Sequence, residues 1–556
     1  MLFIIRIGCN WIYGGRGGFM KEDDRSVIWQ STMILTIAAF LTKILSVGYR
    51  VPYQNIAGDI GFYVYQQVYP FYGILLILAM YGFPVIISAF LSEYHEQEAK
   101  WRIEQVIVVS FWTLTFLSLL CFFGLFFGAE KLSVFIGDPK LVFPFQSMSL
   151  AFLFMPFLAV MRGAFQGKGM IKPTAVSQVF EQVFRVITIV CLSLFLIYSG
   201  SSPYLAGAGA AFGSFIGGLA GVIALFIFYR QYQLSFKWFQ RYPIQDSFQI
   251  VKRLLIEGSA VCISALSLSA FQLVDSLIIL SELKKFGMPL EMAKLTKGIF
   301  DRGQPLLQFG TVLATSLALA IVPMMTKAKL QGNNKYIREK TSLALKISFI
   351  VGTGAAAGLA AVIRPTNIML FKDHSLSVVL GVLGVTILFT SIAMTAAGIL
   401  QGLGFTYKPA KHVVMGIVIK AILTIILIPF IGIMGAALGT VLGFAVIAFL
   451  NIMSVQRETN VFLKNGPFHS MRILISMLLM VLSIFLWQSS LKTLLISLES
   501  ERFAAMITSL TSVIIGGSIY LLSLLYLRVF SKEELLELPK GDKLVVLYLK
   551  LTQKGA

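Results

Sequence analysis

Apolar runs of about twenty residues recur from residue 31 to residue 527, separated by short polar, glycine- or proline-rich breaks. A helix needs about 20 apolar residues to cross the hydrocarbon core of a bilayer, so each run predicts a membrane span. Fourteen follow, near 31–52, 64–92, 104–127, 141–161, 173–198, 204–229, 255–281, 300–326, 341–363, 375–401, 409–429, 432–453, 473–491 and 503–527. No connecting segment exceeds about 25 residues, which leaves no room for a soluble catalytic domain.

The pattern repeats. Subtracting 235 places Pro305 on Pro70, Phe300 on Tyr65 and Asp301-Arg302 on Gln66-Gln67. Gly163-Ala-Phe-Gln166-Gly167-Lys-Gly169 returns as Gly398-Ile-Leu-Gln401-Gly402-Leu-Gly404, each followed by Lys-Pro (Lys172-Pro173 and Lys408-Pro409). Gly209-Ala-Ala-Phe-Gly213 returns as Gly435-Ala-Ala-Leu-Gly439. The fold class expected is an all-α polytopic membrane protein of two parallel-repeat six-helix lobes, 31–229 and 255–453, plus two further spans within 454–527. A cytoplasmic segment (1–30), a cytoplasmic linker (230–254) and a tail (528–556) complete the plan. Residues 1–19 read either as a native extension or as a misplaced start ahead of Met20.

Composition agrees: 57% of residues are hydrophobic and 13% charged, and the mean hydropathy is +0.83. The net charge of +20 falls unevenly. Alternate segments, counted from the N-terminal tail, hold about 30 Lys and Arg residues against 10 in the others, the rest lying inside spans. The positive-inside rule then places both termini in the cytoplasm and assigns the charge to anionic headgroups, not to nucleic acid. Four scattered cysteines and four scattered histidines suggest neither a disulfide framework nor a metal site, and no cofactor is expected.

Ionisable residues inside spans cost roughly 2.5–3.5 kcal/mol on insertion scales and mark functional positions. Lys346 lies near a cytoplasmic end and is expected to snorkel. The other cations are Lys43, Arg50, Arg185, Arg302 and Lys420, against Glu181, Asp275 and Asp301. Glu181 and Arg185, four apart, are placed to pair; Asp275 is placed to pair with Arg50 or Arg302. Five cations against three acids leave a positive surplus, which suits an anionic substrate, and arginine's planar fork suits phosphate. The opposing reading is that the charges cancel within the protein. Tyr49, Tyr53, Tyr65, Tyr69 and Tyr72 read mostly as interfacial belt residues. The glycine ladders 209–221 and 435–443 read as close packing or as a moving seam, and the Gln-Gly-x-Gly loops as turns, since they lack Walker context.

Three segments carry a family resemblance: Thr42-Lys-Ile-Leu-Ser-Val-Gly-Tyr-Arg-Val-Pro-Tyr-Gln-Asn-Ile-Ala-Gly58, Asp301-Arg302 through Pro323, and Arg162-Gly-Ala-Phe-Gln-Gly167 through Gln178. With the span plan, they make the chain resemble the SpoVB/MurJ branch of the multidrug/oligosaccharidyl-lipid/polysaccharide exporter superfamily. The resemblance implies a flippase for undecaprenyl-diphosphate-linked cell-wall precursors, lipid II above all. It implies that Lys43 and Arg50 of span 1, with Lys43 standing for an arginine and the spacing wider by one, and Asp301-Arg302 of span 8 line the cavity and are needed for function. A span 2 basic residue of Gram-negative members has no counterpart here. Sodium binding in some members uses acids of spans 7 and 11; Asp275 matches the first, but span 11 offers Lys420 and no acid.

The expected protein is thus a monomeric flippase in the bacterial cell membrane, working on an anionic lipid-linked glycan by alternating access. Lys43, Arg50, Arg185, Arg302 and Lys420 would bind substrate, and Glu181, Asp275 and Asp301 would form gating ion pairs. A cation-coupled drug exporter of the MATE type is the alternative within transport; an integral-membrane transferase using a prenyl-phosphate donor is the alternative outside it. The Glu93-His95-Glu96-Glu98 cluster that a transferase would need reads better as a polar turn.

Overall fold

The computed structural model describes residues 38, 41–96, 100–233, 236, 238, 240, 242–460, 467–494, 500–537 and 541–553. The segment 1–30, most of the first half of span 1 and Glu98 lie outside the described residues. Among the described residues the chain is helical throughout, and eleven helical runs are long and apolar enough to cross a membrane.

The first compact unit comprises the residues through Asp301 together with Phe405–Gly439. Its helices are α1 (Arg50–Ile77), α2 (Phe83–Glu96), α3 (Lys100–Ile136), α4 (Val142–Ser149), α5 (Met155–Gly167), α6 (Ile171–Tyr198), α7 (Pro203–Gln231), α8 (Ile244–Ala265), α9 (Ser267–Lys285) and α10 (Leu290–Asp301). The second unit, Arg302–Gly404 with Thr440 onward, holds α11 (Gly303–Gly310), α12 (Val312–Leu330), α13 (Asn334–Phe371), α14 (Ser377–Gly384) and α15 (Thr386–Gly402). The chain returns to the first unit in α16 (Tyr407–Ile431), crosses back within α17 (Ile433–Thr459), and ends in the second with α18 (Pro467–Leu494), α19 (Glu501–Tyr526), α20 (Lys532–Leu536) and α21 (Gly541–Gln553). Compact units and sequence repeats divide the chain at different places: α9 and α10 pack on α1, and α16 packs on α9.

Leu41–Tyr94 runs as 54 helical residues, roughly 80 Å if straight and far more than one bilayer. It folds back. The hydroxyls of Tyr49 and Tyr65 lie 2.6 Å apart, whereas sixteen residues of straight helix would separate them by about 24 Å. The break is Gly58, whose φ of 67° lies in the left-handed region that favours glycine. Two spans thus share this run.

The repeat seen in sequence returns as packing. In the first unit Gly163 and Gly167 of α5 lie against Ile87 and Leu91 of α2; in the second, Gly398 and Gly402 of α15 lie against Val322 and Met325 of α12. Both helices then end on a glycine of positive φ, Gly169 at 74° and Gly404 at 86°, as a left-handed C-terminal cap requires.

The glycine ladders let helix backbones touch. A Cβ on Gly217 of α7 would fall 2.6 Å from the Glu181 carbonyl oxygen and 2.8 Å from the Arg185 Cβ on α6. Gly439 likewise lies against Lys420 and Thr424 of α16. The ladders thus seat two of the helices that carry buried cations, Arg185 on α6 and Lys420 on α16. Because Gly217 meets backbone, Gly217→Ala is expected to destabilise the protein by about 1–3 kcal/mol, read as a lowered melting temperature in detergent.

The tail docks on α13. Lys346 pairs with Glu534 at 2.7 Å and Lys340 with Glu537 at 2.5 Å, while Ser531 and Glu534 form a capping box at the start of α20. Lys346, expected to snorkel, instead meets a carboxylate that the tail brings to it.

Orientation is an expectation from charge asymmetry, and it is testable. Cysteines at Asp59 or Lys285 are expected to react with impermeant reagents from outside, and one at Asn333 to stay protected; Asn465, the companion position, lies outside the described residues. The reversed pattern would overturn the topology.

Candidate functional site

In the first unit the fold-back at Gly58 brings Tyr49, Tyr53, Tyr65, Tyr69 and Tyr72 together. All five are buried, between 0% and 6% exposed, so they are not the interfacial belt their sequence positions suggest. They enclose two arginines. The Arg185 guanidinium lies 4.6 Å from the Tyr72 ring and donates to the Tyr49 hydroxyl (3.0 Å) and the Gln182 side-chain oxygen (3.3 Å). The Arg50 guanidinium lies 4.6 Å from the Tyr69 ring, and its three nitrogens are buried without a hydrogen-bond partner among the described residues. A ring face attracts a cation, worth about 2 kcal/mol when desolvated. It does not replace an anion.

Glu181 does not pair with Arg185. Its carboxylate accepts from Arg162 at 2.7 Å and from the Tyr72 hydroxyl at 3.1 Å, while Arg162 Nε donates to Ser177. Four-residue spacing on α6 allowed the expected pair, but Arg185 turns toward the tyrosines and α5 delivers Arg162, which is fully buried. Arg50 and Arg185 are left with no carboxylate in ion-pair range among the described residues.

Asp275 meets Lys420, not Arg50 or Arg302. The two buried groups lie 2.8 Å apart across α9 and α16, and the ammonium also donates to the Phe271 carbonyl at 2.7 Å. Lys420, expected to bind substrate, is thereby matched and satisfied. Asp301 pairs with Lys297 one turn earlier in α10, at 2.5 Å, and both are buried. Lys294, three residues before, reaches Asp138 (3.3 Å), which also accepts from Tyr63 and Tyr204 at 3.1 and 2.6 Å. Lys294 and Lys297 therefore belong to the core, although the sequence places them in an exposed loop. Lys43 sits partly buried on the helical stretch 41–48.

In the second unit Arg302 forms a two-pronged contact with Asp373, at 2.9 and 2.7 Å, with the Phe371 ring 5.2 Å from its guanidinium. Asp301 and Arg302, adjacent in sequence, are thus partnered separately. Partial burial opposes ionisation of Asp373, but the hydrogen bonds from Arg302 and Ser375 outweigh it and hold the carboxyl below its ordinary value. A depressed carboxylate keeps its contribution above its unfolded value and loses it only as pH falls through the lower folded one, so the contact persists over roughly pH 5–8.

The described helices thus form a polytopic membrane scaffold with several cations buried inside it. The chain belongs to the polysaccharide biosynthesis protein family, whose pattern matches residues 28–329. It is 39% identical over 532 residues, 96% of this chain and 98% of the other, to the uncharacterized membrane protein YabM of Bacillus subtilis (strain 168). It is 23% identical over 516 residues to the lipid II flippase MurJ of the same organism, covering 89% of this chain and 94% of that one. Stage V sporulation protein B from that organism is 24% identical over 535 residues, 93% and 98% of the two chains. Among solved structures, lipid II flippase MurJ in an inward closed conformation superposes with a TM-score of 0.64 at 14% identity, covering 88% of this chain and 98% of that one. A multidrug resistance MATE family transporter in an inward-facing conformation gives 0.61 at 16%, covering 77% and 98%. At such identities the structures establish the fold alone.

Proposed function

We propose that the protein is a flippase that moves an undecaprenyl-diphosphate-linked cell-wall precursor, lipid II or a related polysaccharide intermediate, from the inner to the outer leaflet by alternating access. The observation that carries this reading is the pair Arg50 and Arg185, two fully buried guanidiniums that have no carboxylate in ion-pair range among the described residues and rest instead against tyrosines. An uncompensated buried charge costs several kcal/mol, so its retention argues for a counter-charge that arrives during the working cycle. A diphosphate supplies two acidic groups for two forked donors. The surrounding tyrosines offer rings and hydroxyls suited to an attached sugar. Both termini lie in the cytoplasm, the prenyl tail stays in lipid, and no bond is made or broken.

The acids that a cation-coupled drug exporter would use, Glu181, Asp275 and Asp301, are each matched by a basic residue, which favours the anionic substrate. The test is depletion in a strain without redundant flippases, followed by identification of lipid-linked sugars. The reading expects a lipid-linked glycan to accumulate on the cytoplasmic face; a normal lipid-linked pool together with altered drug accumulation would replace it with the exporter.

A further inference from the structure

Asp373, which the sequence reading did not single out, lies between α13 and α14 and grips both prongs of Arg302. The geometry is that of an arginine holding a phosphate, with a carboxylate in the anion's place. The two partners differ in setting. The Arg302 side chain is fully buried, whereas that of Asp373 is 40% exposed. Asp373 also rides on a segment with two non-glycine residues at positive φ, Lys372 (71°) and Leu376 (52°). Such backbone persists only while its surroundings hold it. The segment is held by its own short-range hydrogen bonds: Ser375 N–H donates to Asp373 at 2.8 Å, the Asn367 side chain donates to the Ser375 carbonyl (2.8 Å) and the Ser377 hydroxyl (3.2 Å), and that hydroxyl donates to the His374 carbonyl (2.7 Å). A fixed arginine thus faces a half-exposed acid on a strained, releasable loop.

We propose that Asp373 is an intramolecular competitor for the anionic group that Arg302 binds, occupying the guanidinium fork when substrate is absent and helping to expel it at the end of the cycle. This rests on the flippase reading. The segment lies on the face that the charge asymmetry assigns to the outside, where substrate must leave. A competitor held in place for most of the time reduces apparent affinity in proportion to the small fraction of open forks. Asp373→Asn keeps the shape of the side chain and removes the charge that competes.

The experiment uses the full-length protein in nanodiscs with undecaprenyl diphosphate as probe and undecaprenol as uncharged control. It reads affinity, melting temperature and hydrogen exchange at the Ser375 amide. The proposal expects Asp373→Asn to bind undecaprenyl diphosphate roughly tenfold more tightly and to flip it more slowly. It expects Asp373→Glu to stay near wild type, and the probe, but not undecaprenol, to speed exchange at Ser375 in the wild type. A fixed structural ion pair gives the opposite: Asp373→Asn lowers the melting temperature, binds no more tightly, and Ser375 stays protected with probe bound. That outcome overturns the competitor and leaves the flippase reading standing. Failure of the wild type to bind undecaprenyl diphosphate at all would overturn both.

Discussion

Replacing Arg50 with alanine is expected to reduce flipping to background while membrane abundance and melting temperature stay near wild type. The two readouts separate because of how Arg50 is held. Truncating one member of a buried ion pair costs about 3–5 kcal/mol through the orphaned partner. Arg50 leaves no orphan, since no carboxylate lies in ion-pair range of it among the described residues and its guanidinium rests on the Tyr69 ring. Stability loses only the ring contact and side-chain packing, partly offset by removing a buried unmatched charge. Transport loses the donors that meet the incoming anion. Arg50→Lys keeps the charge without the planar fork and should fall between the two. Wild-type flipping by Arg50→Ala would remove Arg50 from the substrate path.

The second large effect is expected at Lys420, and there it falls on folding. Lys420→Met strands the Asp275 carboxylate, which is about as buried as its partner and 2.8 Å from the lost ammonium. A loss of about 3–5 kcal/mol is expected, enough to empty the membrane of folded protein. Lys420→Met with Asp275→Leu replaces the pair by apolar groups and should restore accumulation, since such replacements are often neutral or stabilising. If the double variant also flips, Lys420 is a structural pin between α9 and α16 and not a substrate ligand. If it folds and does not flip, Lys420 acts on the substrate as its sequence position suggested. Melting temperature and flipping rate of both variants decide between these roles.

These contrasts show which parts of the molecule could be read from sequence. The all-helical membrane class and the glycine pattern of the repeat were legible because they are written locally, in apolar run lengths and in glycines at fixed spacing. The contacts of Gly163 and Gly398 recur because the residues facing them, Ile87 and Val322, stand at the same offset. Interior charges were legible one at a time. Their partners were not, since Arg162 with Glu181, Asp138 with Lys294 and Arg302 with Asp373 are joined across helices or loops that no local spacing connects. Lys297 with Asp301 was the exception: four-residue spacing was present, but Lys297 had been placed in the loop before span 8. The tyrosines were misplaced for a similar reason. Near a span end an aromatic normally marks the interface, and only the fold-back at Gly58 turns five of them inward around two arginines.

The central claim is that the buried arginines serve an anionic lipid crossing the bilayer, and reconstitution tests it most directly. Proteoliposomes would carry a fluorescent undecaprenyl-diphosphate-linked sugar, with an impermeant quencher added outside. Wild-type protein is predicted to expose lipid from the inner leaflet to the quencher, Arg50→Ala to leave it protected, and a neutral prenyl-linked sugar without phosphate to stay protected in both. Equal movement of the neutral lipid, or none of the diphosphate lipid by folded wild-type protein, would contradict the account.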